Sequence, residues 1–430
     1  MLFSTLRHYL SGSAKLGIGM GIVTILARWL TGNMMMTSPH ILVKYGILGA
    51  VGYSLITGMA LVIFALLAKR VRTEMIDAQT IGDYLHYKLQ PFGYKLMLGI
   101  TTLTIINSFF LQGVAAGMLF EQLTDLPLWI GLFLFFAVCV LYAGLGGAPL
   151  LNSVALFQVI SVFTALILLS VYFFVREGIT PIYNGIRLYH PYLLVVNNPD
   201  SWAFLAAGVF VGTGQVITDR TTWQRLFALE DKKIVSTFAL TGLILSTLPL
   251  ALSAIVMIAI FSGSFHNVYS LLFELIDHIN SPLLLLLFLM SLVSAYTASF
   301  GAELHSLVSL LVRNVLPQAN PQMNEDQLLQ AAYGFAVGIG LVGFIITAVF
   351  SPSPLILFVC FGILYSSFML PVIILVMSRR KVGNFIPVSG CIAMVVAFVS
   401  IPSIGMLNSI FVAFTASLVQ VILYLGIKST

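Results

Sequence analysis

The stretch ARWLTGNMMMTSP, residues 27–39, decides how the chain is read, because it interrupts a run that is otherwise apolar. Arg28 carries a full charge, Thr31, Gly32 and Asn33 are consecutive poor helix formers, and Pro39 lacks a backbone donor. The run that holds them covers residues 14–43. It is too long for one straight crossing of a bilayer, which takes about 20 residues at 1.5 Å each. Backbone that leaves the helix at membrane depth is tolerated only where protein or a water-filled cavity surrounds it. Two readings follow: a helix broken near its middle, whose freed backbone groups can face an ion or a solute, or a kink satisfied by neighbouring helices.

Outward from this stretch, composition sets the class. Of 430 residues, 59% are hydrophobic and 8% charged, more apolar surface than a soluble core can use. Apolar spans fall near 14–43, 45–68, 93–119, 127–145, 150–175, 202–218, 234–262, 281–311, 328–350, 353–378, 386–402 and 405–426. Their lengths, and the lack of ten-residue alternating segments, predict about twelve transmembrane helices rather than a barrel. The fold class is therefore all-α and polytopic.

Basic residues orient the chain, since they favour cytoplasmic loops. With the amino terminus inside, 16 of the 20 Lys and Arg, among them Arg220 and Arg225, fall on the inner side; only Lys44, Arg176 and Arg187 fall outside. Both termini are expected in the cytoplasm of a cell inner or plasma membrane. Topology accounts for the net charge of +5, so no nucleic-acid partner is implied. Arg7 and Lys15 precede a short apolar run, but ILARWL is a poor cleavage site, so the segment is read as part of the mature protein. Cys139, Cys360 and Cys391 are scattered through apolar spans and suggest neither disulfide nor metal cluster.

Sequence motifs exclude several classes. There is no phosphate loop for an ATP motor and no long soluble stretch. An H-E-x-x-H pair, a Cys/His cluster or a convergent carboxylate pair is also lacking, which leaves little for a membrane-embedded enzyme. Two readings remain: a secondary transporter, or a transporter-like sensor acting with a separate signalling partner. A second interrupted span, AFLAAGVFVGTGQVITDR at 203–220, favours transport. It is Gly-rich, short and five spans after the first, as expected of an inverted repeat of five plus five helices. One transmembrane domain over 1–430 is expected, with repeats at 14–175 and 202–378 and two peripheral helices over 386–426.

Four segments, in order, resemble the sodium:solute symporter family. They are TIGDYLHYKLQPFGYKLM (80–97), YAGLGGAPLLNSVALFQVI (142–160), TTWQRLFALEDKK (221–233) and SAYTASFGAELHSLVSLLVRNVL (294–316). The resemblance covers roughly residues 14–380 and implies a leucine-transporter-like fold, with a solute site between broken helices 1 and 6. It also implies a sodium site at Ala27, Leu30, Ala295, Ala298 and Ser299, where the family uses three carbonyls and two adjacent hydroxyls. Ala298 departs from that pattern, leaving Ser299 alone unless Thr297 substitutes through a shift of register. No organic cofactor is expected; sodium or a proton is the candidate coupling ion.

Arg28 lies about 12 residues, or roughly 18 Å, into its span, too deep to snorkel easily. Its insertion cost of about 2.5–3.5 kcal/mol calls for a partner. Glu303, four residues past Ser299 on one helix face, is the leading candidate. Arg28 is read either as standing at the cation site, which makes transport sodium-independent or proton-coupled, or as a structural partner of Glu303 facing an inner vestibule. His305 is read as a proton relay or as a packed side chain. Asp219, Arg220 and residues 230–233 read as a mixed-charge inner loop, gate and surface rather than site. Solute contacts are expected from Trp29, Asn33 and Met34 on the first span, Asn107, Phe110 and Gln112 on the third, and Gly212, Thr213 and Gln215 on the sixth. The solute is a small molecule whose identity stays open among amino acids, carboxylates, sugars, urea, vitamins and quaternary amines; partners beyond it and the lipid bilayer are not indicated.

Overall fold

A computed structural model describes residues 5–12, 15–124, 126–196, 198–261, 279–350, 352 and 354–429; the predicted span limits at 14, 262 and 353 lie outside them. In chain order the helices are α1 (Leu6–Ser11), α2 (Ile18–Trp29), α3 (Gly32–Glu74), α4 (Ile81–Lys88), α5 (Pro91–Thr124), α6 (Leu128–Leu145), α7 (Gly147–Glu177) and α8 (Ile179–Tyr189). There follow α9 (Pro199–Thr218), α10 (Arg220–Ala228), α11 (Ile234–Ile260), α12 (Pro282–Ala319), α13 (Glu325–Val349), α14 (Pro354–Met377), α15 (Phe385–Ile404) and α16 (Met406–Ser429). Eleven helices among the described residues are long and apolar enough to cross a membrane, and α2 is a shorter apolar one.

The count of twelve crossings is recovered because α3, at 43 residues, turns at Gly46: the part before the corner completes the crossing that α2 begins, and the part after it is the second crossing. There φ is +67°, a conformation costly for any residue with a Cβ. A Cβ would also lie 2.7 Å from the Leu193 carbonyl oxygen, so the corner is seated on the short turn Pro191–Leu194. Beyond the corner, the second crossing packs on α11 through Gly58 and Gly242, where an added Cβ on either would stand 2.5 Å from the other's carbonyl oxygen. Small residues that let backbones touch are the usual means of helix association in lipid, where apolar burial drives little.

Short polar clamps gather the loops on the amino-terminal face. Leu16 N–H donates to the Ala228 carbonyl at 2.8 Å and Glu230 N–H to the Leu16 carbonyl at 3.1 Å, binding the start of α2 to the end of α10. Thr80 and Asp83 form a reciprocal cap on α4. Asp83 also accepts from Arg313 at 2.8 Å, and Lys88 pairs with Glu74 at 2.6 Å. The segment read as a solvated loop after the sixth span is instead the helix α10, with Arg220 through Phe227 all buried. Helices α15 and α16 pack on each other and on α14, at the side of the bundle.

Candidate functional site at the two helix breaks

The first break occupies Leu30 and Thr31, between α2 and α3. Three amides that would close a continuous helix are redirected. Thr31 N–H goes to the Trp29 carbonyl at 3.0 Å, Gly32 N–H to Gln112 Oε1 at 2.7 Å, and Met34 N–H to Thr31 Oγ1 at 2.9 Å. The carbonyls of Ala27, Arg28 and Leu30 are thereby released from the amides four residues on. Gly32 is required here: a Cβ would stand 2.0 Å from the Tyr296 ring and 2.8 Å from Gln112 Oε1.

A second break lies at Asp219, between α9 and α10, and not in the glycine-rich run where the sequence placed it. Gly212, Thr213 and Gln215 belong to unbroken helix. Their glycines serve contact: a Cβ on Gly214 would lie 2.3 Å from the Tyr365 carbonyl oxygen, and one on Gly212 3.2 Å from Ile56. Asp219 caps α10, accepting from Thr222 N–H at 2.8 Å and Thr222 Oγ1 at 2.5 Å. The Trp223 indole N–H takes the Ile217 carbonyl at 2.7 Å, satisfying a group that the break would otherwise strand.

Arg28 joins the two breaks. Its Nη2 lies 2.9 Å from Asp219 Oδ1 and 2.5 Å from Glu303 Oε1, its Nε 3.3 Å from Asp219 Oδ2, and its Nη1 2.8 Å from Ser299 Oγ. Arg220 completes the cluster. Its Nη2 is 3.0 Å from Glu303 Oε2, while Nη1 donates to the Thr101 carbonyl and Thr104 Oγ1 at 2.7 and 2.8 Å. Ser108 also donates to Glu303. Two guanidinium groups thus face two carboxylates with every residue at most 5% exposed. Charges so buried persist because they are paired and hydrogen-bonded.

The remaining sequence-predicted residues divide by position. Ala295 and Ala298 are buried on α12 beside Ser299, which holds Arg28. Thr297 does not turn to replace the missing hydroxyl: its Oγ1 donates to Val293 and accepts from Gln158 on α7 at 3.1 Å. Trp29 donates its indole N–H to Thr222 Oγ1 at 3.1 Å, and the Arg28 guanidinium lies 5.3 Å from its ring centroid. Asn33 is half-buried and accepts from Thr37, while Met34 is buried beside the break. Phe110 and Gln112 lie in a π-helical turn, Phe109–Val114, of α5, a distortion common at functional sites. Asn107, just before that turn, donates to the Tyr365 hydroxyl at 3.4 Å. His305 faces away from Glu303, towards the Tyr9 carbonyl of α1 at 3.1 Å and the Tyr9 ring.

Sequence reasoning missed Asp219 and Arg220 as core groups, and Tyr296 and Tyr365 altogether. Asp219 with Thr222 three residues on is a cap pattern that could have been read from spacing. The tyrosines, on α12 and α14, carry no such signal.

Solved structures share this architecture. The chain is similar to a Na+-coupled sialic acid symporter in a substrate-bound outward-open state, with a TM-score of 0.79 at 12% identity, covering 97% of this chain and 91% of that one. It is also similar to Mhp1, a nucleobase-cation-symport-1 family transporter (TM-score 0.59, 11% identity, 98% and 95% covered). A third is MhsT in complex with L-phenylalanine (0.58, 14%, 96% and 99%). No family model and no curated protein sequence matches the chain. At these identities the likeness is one of fold, and the chain has the leucine-transporter-like fold.

Proposed function

We propose that the chain is a secondary active transporter that moves a small organic solute across the membrane by alternating access, and that the Arg28 guanidinium stands in for a coupling sodium ion. The fold supports the first part. The second is carried by one observation: Arg28 Nη1 donates to Ser299 Oγ at 2.8 Å, on the one hydroxyl left at the sodium position that the family resemblance implies. A fixed cation that satisfies Ser299, Asp219 and Glu303 supplies the charge a mobile ion would bring. Sodium takes oxygen ligands, as other hard cations do, and a second hydroxyl for it is missing at Ala298.

Solute contacts are assigned to the first break and the residues packed round it, Asn33, Met34, Asn107, Phe110 and Gln112, and to Gly212, Thr213 and Gln215 on the sixth span. Asn107 Oδ1 and the Tyr296 hydroxyl, both buried, have no protein partner among the described residues, which suits polar groups that meet a ligand. The reading places residues 14–175 and 202–378 as the two repeats and both termini in the cytoplasm.

Thermal unfolding of the purified protein in sodium, potassium and choline tests the ion assignment, because a ligand bound only by the folded state raises its stability with concentration. The three salts are expected to give equal midpoints for wild type, with uptake of the solute into proteoliposomes unchanged when choline replaces sodium. A sodium-specific rise in wild type places the ion beside Arg28 and overturns the substitution.

A further inference from the structure

A cavity of about 390 Å³ opens on the amino-terminal face, between α1, the end of α3, the start of α7 and α10. Its volume is that of a small-molecule site, and it lies apart from the breaks. Four basic side chains line it, Arg7, Lys15, Arg72 and Arg225, against two acidic ones, Asp77 and Asp231. Two of the basic groups are deeply buried and incompletely bonded. Arg72, 3% exposed, gives Nε to Asp231 Oδ1 at 2.6 Å, yet its Nη1 has no partner among the described residues. Arg225, 5% exposed, gives Nη1 to Asn152 Oδ1 at 2.8 Å, yet its Nε has none. Arg225 has no ion-pair partner among the described residues, so its charge in the cavity wall is balanced by no carboxylate in contact with it.

From this excess of basic side chains round one cavity we infer that it binds a small oxyanion of the phosphate or carboxylate kind. Guanidinium groups match the planar spacing of such oxygens, and Lys15 at the rim adds a point charge. Burial, and after it the Arg72 charge, holds the Lys15 ammonium below the ordinary lysine range, against the opposing pull of Asp231.

Inorganic phosphate is the probe. In nanodiscs of zwitterionic phosphatidylcholine, phosphate should raise the unfolding midpoint of wild type in a saturable way over chloride at equal ionic strength. Arg72→Gln and Arg225→Gln should each weaken that binding by about tenfold or more, the loss of one charge-assisted hydrogen bond. Lys15→Gln, which removes the rim ammonium together with its 2.8 Å hydrogen bond to the Phe227 carbonyl, should weaken it less but measurably. An absent rise in wild type, or an equal rise in all four proteins, overturns the inference. So does stabilisation by phosphatidylglycerol in the nanodisc with none by phosphate, since that assigns the charge to lipid.

Discussion

Arg28 costs the chain a charge in the bilayer and returns it as a joint between two helix breaks. Each of its three nitrogens donates to Asp219, Glu303 or Ser299. Removing it leaves two carboxylates with Arg220 as the one cation beside them among the described residues. Breaking a buried pair in this way costs about 3–5 kcal/mol. The expected result is that Arg28→Ala lowers the unfolding midpoint strongly, and that Asp219→Asn added to it lowers the midpoint by less than its own single effect. Restored neutrality should appear as a coupling of about 0.5–3 kcal/mol in a double-mutant cycle, and strict additivity would show that the two groups do not act as a pair. The Arg28–Glu303 half of this cluster was legible in the sequence, because depth forbids an unpaired arginine and spacing puts Glu303 below Ser299. Asp219 and Arg220 were not, since ITDRTTWQR has the composition of a solvated loop and is buried because Asp219 bonds to Arg28 and Thr222, and Arg220 to Glu303.

At the scale of elements, the first break was legible and the second misplaced, for one physical reason. Thr31, Gly32 and Asn33 disfavour helix by propensity, which a sequence displays. Gly212 and Gly214 looked alike but serve close packing against Ile56 and Tyr365, which only the neighbouring helices reveal. What ends α9 is the capping chemistry of Asp219, which starts α10 and favours negative charge at that helix's amino end. Asn caps about as well as Asp, whereas Ala does not. Asp219→Asn should therefore lose the pairing with Arg28 yet keep α10 in place, and Asp219→Ala should lose both. The two variants are expected to differ by about 0.5–2 kcal/mol in unfolding and by faster amide exchange at Thr222 and Trp223 in the alanine form. Equal behaviour would mean that packing alone holds α10.

Across the whole molecule, the spans were legible because lipid forces length and apolarity into the sequence, and the corner at Gly46 falls just past the gap that the sequence left between spans 14–43 and 45–68. The charge asymmetry also outlasts a correction. Arg220 belongs to the buried cluster at the breaks and no longer counts as a loop residue, yet the other 15 basic residues ascribed to the inner side still stand against Lys44, Arg176 and Arg187. On the orientation proposed above, the amino-terminal face, with its clamps and its basic cavity, is expected in the cytoplasm. Single cysteines test this once Cys139, Cys360 and Cys391 are replaced by serine or alanine. Arg187→Cys on α8 and Asn320→Cys after α12 both occupy exposed positions at opposite faces. In intact cells a membrane-impermeant maleimide should label the first and spare the second until the membrane is permeabilised. The reverse pattern would invert the protein, turn the basic cavity outward, and make its anion one drawn from outside the cell.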